Sequence, residues 1–91
     1  MNRHLDVLEQ LLRSIQQELS LVASDRTTAA TDASLESAAS LCKDAIAALR
    51  NGQVAVAANN LRRVARMAVD EWSLGSPLTA AATECAELME Q

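Results

Sequence analysis

Ninety-one residues with a formal net charge of −4 suffice for one small core and not for two. Apolar residues form 49% of the chain, yet 18 residues are alanine and a single one is aromatic, so the core is thin for its length. No apolar run approaches the ~20 residues of a membrane span, and an acidic chain is poorly suited to a phosphate backbone.

The expected fold is all-α, a small antiparallel bundle of about four helices forming one domain over residues 1–91. A thin core without disulfides or metals is usually completed by self-association, so a homo-oligomer is expected. Cys42 and Cys85 fall at helix-periodic apolar positions rather than in a CxxC pair, which reads as two reduced core thiols. The first residues, MNRHLDVLEQLL, carry charges every few positions, so no signal peptide is read there and a cytoplasmic location is expected. Seven arginines against one lysine, with abundant alanine, suggest a GC-rich bacterial source.

In the first helix Leu5, Leu8, Leu12, Ile15, Leu19 and Val22 recur at spacings of 3, 4, 3, 4 and 3, a heptad stripe. Val7, Leu11 and Leu21 fall outside it and widen the apolar surface. They point to a second contact, with another helix or with a second chain, and are candidate interface residues. Residues 24–34, SDRTTAATDAS, read as a polar break, with Asp32 as the expected N-cap of the second helix and Asp25 as an earlier alternative start.

The second helix runs to about Arg50 and turns Leu35, Ala38, Ala39, Cys42, Ala45, Ile46 and Leu49 inward. Asn51-Gly52 stops it, since glycine accepts the left-handed conformation of many helix C-termini. The third helix follows at once, with Val54, Ala57, Ala58, Leu61, Val64, Ala65, Ala68 and Trp72 as its stripe. So short a connection makes these helices an antiparallel hairpin. Gly52, Ala57 and Leu61 loosely resemble the helical hairpin of a tetratricopeptide repeat. That resemblance covers one hairpin of about 34 residues and does not recur. Asp44 stands where the repeat takes an apolar residue, so the segment is read as a generic hairpin.

Gly75 ends the third helix, and Ser76-Pro77 opens the fourth: serine caps the first turn, and proline lacks only an N–H that has no helical partner. Leu78, Ala81, Ala82, Cys85, Leu88 and Met89 are its expected inward face.

Chemistry is sparse. His4 is the sole histidine, the chain has no Gly-rich phosphate loop, and no helix carries the ExxH spacing of a di-iron bundle. Asp44, Asp70 and Glu71 form no pair that spacing singles out. No enzyme, cofactor or metal is expected.

Charge is unevenly spread. From Arg50 to Arg66 there are four basic residues and no acidic one; from Met67 to Gln91 there are five acidic residues and no basic one. An antiparallel turn at Gly75-Ser76 would bring Glu84 level with Arg66, and Glu87 level with Arg62 or Arg63. The three arginines are therefore expected to answer the acidic fourth helix, in exposed pairs worth about 0–1 kcal/mol each. They are also candidate interface residues, as is Trp72, whose other role would be to close the core.

The function expected is a cytosolic protein–protein interaction module that associates first with itself and, as a second option, with another protein. Adaptors, secretion chaperones and immunity proteins are all of this kind. No nucleic-acid or membrane partner is expected. Two alternatives remain: a small-ligand or catalytic bundle using buried carboxylates, and a nucleic-acid-binding regulator.

Overall fold

A computed structural model describes residues 3–21, 30–72 and 75–90. Its four helices are α1 (Arg3–Ser20), α2 (Asp32–Arg50), α3 (Val54–Glu71) and α4 (Pro77–Met89), and no strand occurs among the described residues. Each helix packs on its two neighbours around a ring: α1 on α2, α2 on α3, α3 on α4 and α4 back on α1. Across the diagonals no Cα atoms come within 8 Å.

Cross-helix bonds join opposite ends of neighbouring helices, as antiparallel packing requires. His4 near the start of α1 reaches the carbonyl of Leu88 near the end of α4, 3.0 Å away. Trp72, just beyond α3, donates its indole N–H to Ser34 Oγ at the start of α2, 2.8 Å away. The bundle measures 39 × 21 × 20 Å.

The ends of the helices follow from local chemistry. Gly52 takes φ 76°, with its N–H on the carbonyl of Leu49 and that of Gln53 on the carbonyl of Ala48. This paired arrangement satisfies carbonyls that would otherwise be orphaned where α2 ends. Ser76 caps α4 by accepting from the Thr79 N–H at 3.2 Å, and Pro77 takes the first helical position. At α2 the cap is Thr31, whose hydroxyl accepts from the Ser34 N–H, one residue before the expected Asp32. Asp25, the alternative start, lies outside the described residues. α3 stops at Glu71, before Gly75, with Trp72 as its C-cap.

The core is a single cluster drawn from all four helices. α2 buries every residue expected of it, and α3 does so apart from Val54, which is exposed, and Ala65, which is half-buried. α1 is rotated from its expected phase: its buried line is Leu8, Leu11, Ile15 and Glu18, while Leu5, Leu12 and Leu19 are half-buried along its flank. α4 buries Thr79 and Ala86, and leaves Ala81 and Leu88 half-exposed.

Cys42 and Cys85 project into this core from α2 and α4 and are both free thiols. Burial pushes Cys42 up to about 12, with nearby Cys85 adding to the shift, and burial pushes Cys85 up to about 11. Because no Cα of α2 lies within 8 Å of α4, the pair cannot close the ~4.4–6.8 Å span of a disulfide without moving the backbone.

Candidate functional site

The contact between α1 and α4 is the loosest of the four seams. Sequence explains why. On the side of α1 facing α4, positions 7, 14 and 21 are Val7, Ser14 and Leu21, one heptad row interrupted by a serine and flanked by Gln10 and Gln17. On the α4 side, proline and alanine stand at Pro77 and Ala81. Small and polar residues cannot fill the space between two helices, so a groove remains.

Two adjoining cavities make up this groove, one of ≈ 590 Å³ and one of ≈ 270 Å³, sharing Ser14, Pro77 and Ala81. The larger has Val7, Leu11, Ala81 and Leu88 as its apolar lining, and its far end carries Arg3 from α1 with Glu84 and Glu87 from α4. The smaller continues past Gln17, Glu18 and Leu78 to Leu21. Together they follow α1 from Arg3 to Leu21, roughly 27 Å at about 1.5 Å per residue.

The three apolar candidates of α1 therefore all line this one groove, Val7 and Leu11 in the larger cavity and Leu21 in the smaller. Val7 and Leu21 are half-exposed on the groove. Leu11 requires a correction: at 3% exposure it forms the floor and belongs to the core of its own chain. A second chain could touch its edge, but it does not stand out as a surface anchor.

Of the two roles expected for Trp72, its place in the chain fits the closing of the core. It is 3% exposed and its indole N–H is satisfied within the chain by Ser34, so it closes the core.

Arg62, Arg63 and Arg66 lie exposed on α3 and none of them lines the groove. Arg62 does answer α4, but through Glu90: its Nε donates to the Glu90 carboxylate while Nη1 reaches Asn59 Oδ1 at 3.2 Å. Arg66 pairs along its own helix with Asp70 at 3.9 Å. Arg63 has no ion-pair partner among the described residues. Glu84 and Glu87, the expected partners, face α1 instead.

Asp44, Asp70 and Glu71 are all exposed, so none of them supplies a buried carboxylate. Glu18 is the buried carboxylate among the described residues, and sequence reasoning missed it because it occupies the apolar line of α1. Its place at the groove could have been suspected only from Ile15 three residues before it. No group of three potential metal ligands occurs among the described residues, and no described helix is long and apolar enough to cross a membrane. The chain matches no protein family, no curated protein and no solved structure.

Proposed function

We propose that this protein is a helical protein–protein interaction module whose first partner is another copy of itself. The observation that carries the reading is the groove between α1 and α4, lined by Val7, Leu11, Ala81, Leu88 and Leu21 and left unfilled by the side chains of the described residues. A small alanine-rich bundle gains most from covering such a seam, because each apolar Å² removed from water contributes roughly 25 cal/mol. Two buried, unpaired thiols are at ease in a reducing compartment and support a cytoplasmic setting. Nucleic acid is no part of this reading, since Arg62 and Arg66 each have an acidic neighbour in the chain.

Sedimentation equilibrium at tens of micromolar tests it. A species of twice the 9.7 kDa chain mass is expected, reverting to 9.7 kDa on Val7→Glu. Val7 is the right probe because it is half-exposed, whereas a charge at Leu11 would disrupt the chain's own core. A wild-type protein that sediments as a monomer throughout rejects self-association.

A further inference from the structure

Resting on that reading, we infer that the occupant of the α1–α4 groove is the same groove of a second copy, related by a two-fold axis parallel to the helices. The charges at the far end decide the geometry. Arg3 stands on the α1 wall, and Glu84 and Glu87 stand on the α4 wall towards the same end, with Glu87 close to its height and Glu84 about one turn further along, a register that the His4–Leu88 bond fixes. Among the described residues none of the three forms an ion pair within the chain.

An axis along the bundle sets α1 of each copy against α4 of the other without changing the height of either. Arg3 then faces the partner subunit's Glu87, with the partner subunit's Glu84 about one turn along the same wall, and the reverse pairing follows by symmetry. Val7 then lies between the levels of the partner's Glu84 and the partner's Leu88, Ser14 lies close to the level of the partner's Leu78, and Leu21 reaches beyond the start of α4. An axis perpendicular to the helices would instead lay the charged end over the end formed by Gln17, Glu18, Leu21 and Leu78, where Glu84 and Glu87 find no cation and Arg3 finds only Glu18, a buried carboxylate already engaged within its own chain. A two-fold contact of this kind is self-complementary and closes at two copies.

Helix dipoles favour the same pairing. Arg3 is the first residue of α1, where a cation faces the positive end of its helix, and Glu87 lies in the last turn of α4, where an anion faces the negative end. The last turn of α4 has no basic side chain to offset its acids, whereas the first turn of α1 already holds Asp6, so the dipole argument bears on the α4 wall above all. Each charge gains from an opposite charge delivered by the partner. Two carboxylates share one guanidinium in each half, so the pairing reduces the negative charge of the seam without cancelling it.

The test is a charge exchange between two exposed walls. Arg3→Glu makes the charged end of the groove wholly acidic, and Glu84→Arg with Glu87→Arg makes it wholly basic. Each variant alone should lose dimer, its dissociation constant rising about tenfold or more, since like charges across an interface are strongly disfavoured. Mixed one to one, they should form a heterodimer at least as tight as the wild type, because both walls are then complementary. Circular dichroism on each variant checks that the helices persist. Dimers indifferent to either change, a mixture that stays monomeric, or a dimer abolished instead by Arg63→Glu with Arg66→Glu would overturn this geometry. A wild-type monomer would remove self-association itself, so the two failures are distinguishable.

Discussion

The two cysteines show how far burial alone sets a residue's chemistry. A thiol held at about 12, and another at about 11, is protonated at neutral pH, and the thiolate is the reactive form. At pH 8 the thiolate fraction is on the order of one in a thousand for Cys85 and one in ten thousand for Cys42. A chromogenic disulfide reagent should therefore leave the native protein almost untouched, and should count two thiols per chain once denaturant unfolds it. Rapid reaction of native protein would contradict the packing. The same shifts predict the alkaline limb of stability. Both folded thiols hold their protons more tightly than the unfolded 9.0, so this contribution is complete below pH 9. It is lost as pH rises from 9 towards about 11, where Cys85 titrates in the folded chain, and on towards about 12 for Cys42. Urea midpoints should thus fall more steeply above pH 9 in the wild type than in the Cys42→Ala, Cys85→Ala variant, in which the other alkaline groups still titrate.

At the level of the helices, what sequence could reveal depended on whether the signal was local. The α2–α3 turn and the start of α4 were legible because glycine with a positive φ, and serine followed by proline, solve the problem of unpaired backbone groups within four residues. The phase of α1 was not, because leucines at 5, 8, 11, 12 and 19 support two adjacent lines equally well. Neighbouring helices chose between them: Leu12 lines a cavity shared with Ile46 of α2, while Val7 and Leu21 lie on the α4 side. The acids of α4 were misplaced for a related reason. Each step of three residues turns about 60° short of a full revolution, so 84, 87 and 90 wind from the α1 side round to α3. Only Glu90 arrives at Arg62. The two glycines make a test at this scale. Gly52 has φ 76° and open space where a Cβ would stand, so Gly52→Ala should cost about 1 kcal/mol through backbone strain alone. Gly75 has no positive φ and equally open surroundings, so Gly75→Ala should be neutral or stabilising by up to about 1 kcal/mol, through the unfolded chain. Thermal melts giving both substitutions the same sign would refute this distinction.

For the whole molecule, the ring of four helices is closed tightly on three sides and loosely on the fourth, which couples its stability to its association. If the groove is covered only in the dimer, each tenfold rise in protein concentration above the dissociation constant should stabilise each subunit by about 0.7 kcal/mol, half the per-dimer gain. For a domain of this size that moves the melting temperature by several degrees per decade. The chain carries its own reporter. Trp72 is the single tryptophan, buried and bonded to Ser34, and it does not line the groove. Its emission therefore follows unfolding of the bundle rather than pairing of the copies. Melts of the wild type followed at this residue should shift upward with concentration, while those of Val7→Glu should superimpose at every concentration. The variant should also melt close to the most dilute wild-type sample, because Val7 is half-exposed and a carboxylate there meets water in the separated chain. A wild-type melting temperature that stays constant across a hundredfold range of concentration would mean that the separated bundle is already as stable as it becomes, and that the open seam has some other use.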